Sequence, residues 1–164
     1  VGSRLNITNK TSELAYIAGF LDGDGSLMLQ IKRRSDSKRG WRFMATICLY
    51  QDSRHDKPLY WMKSRLGIGY ISKRNDNITE LRINGYKQCD KILRKLYPFI
   101  KFKQPQIESL LKAIDILIRK PINKLTRNDR SKLLSCIMNI QNFNYQSPRK
   151  RSIKQLKKMF DLTP

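Results

Sequence analysis

From Thr11 to Leu21 the apolar residues recur at helical spacing, with Leu14, Ile17 and Leu21 on one face. A second face carries Ala15, Ala18, Gly19 and Asp22 and is unusually small. Asn9 or Thr11 can cap the start, Glu13 suits the first turn, and Gly23 with Gly25 is expected to end the helix. From Ser26 to Arg34 the period switches to two: Leu27, Leu29 and Ile31 alternate with Ser26, Met28, Gln30, Lys32 and Arg34. After the polar turn Ser35–Gly40 the alternation resumes over Arg42–Tyr50, with Phe43, Ala45, Ile47 and Leu49 inward, which makes a hairpin.

A helix follows over Lys57–Leu66, with Asp56 as cap, Pro58 in its first turn and Gly67 at its end. A second hairpin pairs Gly69–Lys73 with Ile78–Ile83 around the turn-forming Arg74–Asn77. Helical patterns then cover Tyr86–Leu96, stopped by Pro98, and Pro105–Arg119, Thr126–Phe143 and Ile153–Phe160. The order α-β-β-α-β-β-α predicts an α+β fold: a four-stranded antiparallel sheet with helices on one face, followed by C-terminal helices. Its organisation reads as an N-terminal segment over 1–10, a core over 11–119 and a helical extension of the same domain over 120–164. The bare face of the sheet is the basic one.

Charge sharpens this picture. The 164 residues include 34 Lys plus Arg against 13 Asp plus Glu, a net charge of +21. Such a field repels itself unless a polyanion neutralises it, and nucleic acid is the expected partner. An anionic membrane is the other polyanion, but no long amphipathic basic helix supports it. No apolar run approaches the roughly 18 to 20 residues that span a bilayer, so a soluble chain with no membrane partner is expected. Val1–Ser3 looks like a cloning remnant, and no secretory signal is evident. Cys48, Cys89 and Cys136 are scattered and His55 is the only histidine, which argues against a Cys/His zinc site and a disulfide framework.

The chemistry is concentrated in Ile17-Ala18-Gly19-Phe20-Leu21-Asp22-Gly23-Asp24-Gly25. Two carboxylates at a helix C-terminus face the negative end of the macrodipole and call for a cation. A divalent metal on Asp24 and a backbone carbonyl such as that of Gly23 would supply it. Asp-Gly-Asp-Gly is equally a turn sequence, whereas a calcium loop of EF-hand type is excluded by its missing ligands. The small face of the helix lets a second copy approach, which would bring another Asp24 nearby.

These nine residues resemble the LAGLIDADG motif of homing endonucleases. The resemblance implies that paired motif helices form the subunit interface, here through Ala15, Ala18, Gly19 and Asp22. It further implies that Asp24 binds catalytic metal, Mg²⁺ or Mn²⁺, over the DNA minor groove. Gln51 resembles the family's polar residue that orders active-site water, and Lys103 its active-site lysine. Gly67-Ile68-Gly69-Tyr70 resembles the entry to the third strand, so the likeness runs from about Thr11 to Ile118. Where close homodimeric relatives carry an arginine four residues after the glutamine, this chain has His55, with Arg54 beside it, and the sequence leaves open which of them serves the site.

With one motif per chain, the expectation is a homodimer hydrolysing phosphodiester bonds in double-stranded DNA at a long, near-palindromic target. The bare sheet face would lie in the major groove, presenting Gln30, Lys32, Arg34, Arg42, Thr46, Ser72, Arg74, Glu80 and Arg82. Any basic member of that set is also a candidate phosphate contact. The tail from Arg149 to Lys158 would add phosphate contacts or serve as a localisation signal. The alternatives are an RNA-binding intron maturase, with intron RNA as partner, and a DNA-binding protein without cleavage. The abundance of Ile, Lys and Asn points to an AT-rich genome and an organellar setting, mitochondrial before chloroplast.

Overall fold

The computed structural model describes residues 6–33, 41–144 and 150–161, with the backbone alone at Arg33 and Trp41. Arg34 and the turn Ser35–Gly40 lie outside the described residues. Helix α1 (Thr11–Asp24) leads into strands β1 (Gly25–Arg33) and β2 (Trp41–Asp52). Helix α2 (Lys57–Leu66), strands β3 (Tyr70–Lys73) and β4 (Ile78–Asn84), and helices α3 (Tyr86–Leu96), α4 (Gln104–Arg119), α5 (Arg127–Phe143) and α6 (Ile153–Met159) complete the order. The predicted α+β class and element order are those observed.

The first helix departs from expectation at both ends. Neither Asn9 nor Thr11 caps it: Lys10 holds the cap position without a side-chain bond. The start is secured instead by Thr8, whose hydroxyl donates to Glu13 at 2.6 Å. At the other end Gly23 does not stop the helix, which continues through Asp24 until the N–H of Gly25 donates to the Leu21 carbonyl. A Cβ at Gly25 would sit 2.5 Å from the Leu21 side chain and 2.6 Å from its carbonyl oxygen, so the helix can turn directly into β1 only at a residue without one. Helix α2 ends as expected, at Gly67 with φ 67°.

The sheet is antiparallel in the order β1-β2-β4-β3. Its register aligns Leu27, Ile47 and Ile83 on the inner face, with Leu49 and Leu81 in the neighbouring row. All of these are buried beneath helices that contribute Ile17, Leu21, Leu59, Met62, Ile92 and Leu110. The core is therefore one layer of helix side chains on one face of sheet.

The C-terminal helices also close an edge. Strand β1 is one of the two outer strands, and its carbonyls at Leu27 and Ile31 accept from the Asn144 amide at 2.8 Å and the Arg151 guanidinium at 3.2 Å. Phe160 stacks on Phe43 with ring centroids 5.5 Å apart, and Phe160 and Leu156 are buried. The tail is thus part of the core. Replacing Phe160→Ala should lower stability by about 3–5 kcal/mol, read from urea unfolding followed by circular dichroism. A loss below roughly 1 kcal/mol would mean that the tail only rests on the sheet.

Candidate active site

The two acids at the end of α1 do different work. Asp22 is 8% exposed, and its carboxylate accepts three backbone N–H bonds from the turn that precedes α4: Lys101 at 2.6 Å, Phe102 at 3.1 Å and Lys103 at 2.9 Å. The Lys103 ammonium donates back to the backbone carbonyl of Asp22. Asp22 is therefore an internal clamp and not the interface residue anticipated from the small face of the helix, because its side chain turns inward to satisfy a turn that has no partners of its own. Asp24, two residues on, is exposed. Burial lowers the pKa of Lys103 from its ordinary value, and the charges of Asp22 and Asp24 oppose that shift. Lys103 and Asp24 thus share one electrostatic neighbourhood.

Gln51 sits on the same end of the sheet. Gly25 pairs with Leu49, so Gln51 lies two residues past the point where β1 begins. Its side-chain oxygen accepts from the Asp52 N–H at 2.8 Å, which turns the amide nitrogen away from that bond. Beyond it, Arg54 grips Asp52 with Nε at 3.0 Å and a terminal nitrogen at 2.8 Å, and this pairing holds the Asp52 carboxyl well below the usual carboxylate range. Arg54 is occupied by that pair, whereas His55 stands exposed on the single turn Ser53–His55.

The donor set for a cation is sparse within one chain. Among the described residues no group of three or more His, Cys, Asp or Glu side chains converges. With the Asp22 carboxylate taken up by N–H groups, Asp24 and the neighbouring Gly23 carbonyl remain. One carboxylate with carbonyl, water and phosphate oxygens fits Mg²⁺, a hard ion that keeps several waters and rarely occupies an all-protein cage.

The outer face of the sheet is arranged in cross-strand rows. Lys32 lies directly opposite Arg42, both exposed, a like-charge pairing that disfavours the free chain and favours a polyanion above it. Gln30 is half-buried opposite Met44, and Ser72 is half-buried opposite Glu80. Two sequence candidates are corrected. Thr46 is fully buried with its hydroxyl donating to Asn84 at 2.7 Å, and Glu80 is 6% exposed between Arg74 and Arg82, so neither presents a free side chain. Periodicity placed both on the correct face but could not see that longer neighbours close over them. Tyr70 and Asn84 share this face and were missed; the register alone reveals them.

The family described as LAGLIDADG endonuclease matches residues 17–114, from the middle of α1 into α4. The chain belongs to the LAGLIDADG endonuclease family. It is 33% identical over 104 residues to DNA endonuclease I-CreI of Chlamydomonas reinhardtii, and 29% identical over 102 residues to DNA endonuclease I-CvuI of Chlorella vulgaris. The matched region spans 63% of the length of each of these relatives. Among solved structures, homing endonuclease I-CvuI in complex with its target superposes with a TM-score of 0.76 at 24% identity, over 92% of this chain and 93% of that one. I-SmaMI bound to an uncleaved DNA target gives 0.72 at 25% identity, over 94% of this chain but 51% of that one.

The LAGLIDADG helix leaves one ridge uncovered. Ser12, Tyr16, Gly19 and Gly23 are exposed at the helical spacing of one stripe, while Ala18 is fully buried in the chain's own core. The outward surface is therefore Ser12, Tyr16, Gly19 and Gly23, flanked by the half-buried Ala15, and Ala18 joins Asp22 as a correction to the predicted interface. A Cβ added at Gly19 or Gly23 would meet nothing within 4 Å. Each glycine in a helix costs about 1 kcal/mol relative to alanine, and packing within this chain gives no return.

The division of labour between the acids is testable by two substitutions that remove the same charge. Asp22→Asn should destabilise the fold by about 2 kcal/mol through the loss of charge-assisted bonds to the turn. Asp24→Asn should leave stability unchanged or raise it by a few tenths of a kcal/mol, since it removes an acid from a helix C-terminus. Equal losses in chemical denaturation would sink the distinction.

Proposed function

We propose that the chain is a site-specific endonuclease that cuts double-stranded DNA as a homodimer, using divalent metal, at a long and nearly palindromic target. The observation that carries this is the pairing of opposites at the end of the LAGLIDADG helix: an exposed Asp24 with no structural task, beside a Lys103 locked in place by the turn that Asp22 clamps. A fold that spends one carboxylate on fixing a lysine and leaves the next one bare is built to meet a phosphate and its cation.

Asp24, with the Gly23 carbonyl, would hold Mg²⁺ or Mn²⁺. The chemistry such an ion supplies is activation of water and neutralisation of charge at the leaving oxygen. Lys103 stabilises negative charge on the phosphate from a fixed position, so no reorganisation is required when that charge grows. Gln51, with its oxygen engaged by Asp52, offers the amide nitrogen to orient water. The exposed Lys32 and Arg42, together with Gln30, contact the duplex from the outer face of the sheet, as antiparallel ribbons do in a major groove. Among relatives, I-CvuI was obtained with its target in the presence of Ca, and with the I-CreI target in the presence of Mg with the DNA not cleaved.

A second copy is supported from two directions. The uncovered ridge with its paired glycines has the shape a close helix–helix contact needs, and a two-fold contact is self-complementary. The match to I-SmaMI covers 94% of this chain but 51% of that one, so that relative carries about twice the matched length in one polypeptide.

Cleavage of a randomised library of long duplexes tests the whole reading. Metal-dependent double-strand cuts at one near-palindromic sequence are expected, abolished by chelator and by Asp24→Asn. Duplex binding with no cut under any divalent ion would replace the nuclease by a DNA-binding protein, and selection of structured RNA alone would replace it by a maturase. Self-association is tested separately: Gly19→Leu should not destabilise the folded monomer, because the site is open and leucine is the better helix former, but should shift the protein from dimer to monomer in sedimentation. A monomeric wild type at micromolar concentration would count against the dimer.

The lowered pKa of Lys103 gives a pH dependence with a definite sign. The cationic form is the one that burial disfavours, so the proton is lost at lower pH than from an exposed lysine. The cleavage rate should therefore fall on an alkaline limb as pH rises, and Lys103→Arg, where some activity survives, should move that limb upward. An unmoved limb would assign it to another group.

A further inference from the structure

The outer face of the sheet holds a cluster whose members are unequal in their freedom. Glu80 lies in the middle of β4 with its carboxylate 8% exposed, between Arg74 and Arg82. One oxygen accepts from Arg74 at 3.0 Å, and the other stands 3.2 Å from the Nε of Arg82. Arg74 is engaged along its whole guanidinium: besides Glu80 it grips Asp76 with Nε at 3.1 Å and a terminal nitrogen at 2.6 Å. Arg82 differs. Its Nε is buried and makes no aligned hydrogen bond, only the ion pair to Glu80, and the side chain is 25% exposed. In the row across the strands it stands between Cys48, fully buried and hydrogen-bonded to its guanidinium, and Tyr70, 47% exposed.

We infer that Arg82 is the base-reading arginine of this cluster, that it recognises guanine, and that Glu80 is a positioning residue that aims it; this rests on the duplex-cutting function proposed above. A guanidinium held from its buried side, by the Glu80 carboxylate at Nε and by the Cys48 thiol, has its remaining terminal N–H groups to offer outward as a fork, the geometry that meets O6 and N7 of guanine in the major groove. An arginine already held in one orientation loses less side-chain freedom on binding than a free one. Arg74, by contrast, has each of its three nitrogens bonded to one of two carboxylates and serves to hold the second oxygen of Glu80. Glu80 is an acceptor that would otherwise suit the amino group of cytosine. Buried and doubly engaged, it cannot reach a base without giving up its bond to Arg74 and leaving the Nε of Arg82 without its carboxylate.

The assignment is tested by enriching randomised duplexes on the full-length chain in Ca²⁺, comparing wild type with Glu80→Gln, Arg82→Ala, Arg82→Lys and the Glu80→Gln/Arg82→Ala double variant, each checked for unfolding midpoint. Wild type is expected to prefer guanine at one position of each half-site. Arg82→Ala and Arg82→Lys should both lose that preference, by roughly tenfold or more. Glu80→Gln should weaken it at the same position and no other, with nonspecific affinity nearly unchanged. The double variant should be no less selective than Arg82→Ala. A shift at a different position in Glu80→Gln, a lost cytosine preference there, or guanine preference that survives both Arg82 variants would overturn the assignment. Should Glu80→Gln fail to fold, the Arg82→Lys profile still decides whether Arg82 reads the base. A wild-type chain that enriches no duplex would sink the underlying reading itself, an outcome distinct from a duplex selected with the wrong residue dependence.

Discussion

The carboxylate of Asp22 ties together segments about eighty residues apart in sequence and, through them, most of the site. Its bonds to the N–H groups of Lys101, Phe102 and Lys103 set where α4 begins and where the Lys103 side chain starts from. The return bond from Lys103 to the Asp22 carbonyl closes a ring of contacts at the helix end. A negative charge is unwelcome at a helix C-terminus on its own, yet three donors and a nearby ammonium more than compensate it. Asp24 meets the same unfavourable helix end without that compensation. Its position is tolerable because the clamp next door has already brought a positive charge close.

The same economy governs the sheet. Its inner face is a continuous apolar layer that stabilises the chain, while its outer face sets Lys32 against Arg42 and inserts a buried glutamate between two arginines. Exposed like charges oppose folding, so stability comes from one face and recognition is placed on the other. Among the described residues, no helix is long and apolar enough to cross a membrane, and the apolar surface goes into this single layer.

Much of this was legible in the sequence, and the reasons are particular. The alternation over Leu27, Leu29 and Ile31 and over Phe43, Ala45, Ile47 and Leu49 fixes which side of each strand is buried, since a shift of one residue would expose every member of the set. Gly67 and Pro58 mark helix boundaries through backbone restrictions that leave no choice. What failed to show was anything decided by a partner far along the chain. Asp22 looked like a member of a small helix face because nothing local announces a turn waiting near Lys101. Thr46 and Glu80 looked accessible because period-two reasoning gives the side of a sheet but not the height of the neighbouring side chains. Gly23 looked like a stop because glycine usually is one, whereas here the tight constraint falls on Gly25, which must pass beside the Leu21 carbonyl. The covering of β1 by Asn144 and Arg151 is likewise a long-range fact that no local pattern encodes.

That last contact has a consequence for how the protein comes into being. Ile31 and the Arg151 that covers its carbonyl are 120 residues apart. At typical rates of synthesis the outer edge of β1 leaves the ribosome roughly six to twenty-four seconds before its cover exists. Throughout that interval an unpaired strand edge, the feature most prone to pair with another chain, is presented by a nascent polypeptide. The lysines and arginines of the outer face are already in place by then, and mutual repulsion between neighbouring nascent chains is the protection available. The charge that serves recognition in the finished molecule thus also guards its assembly.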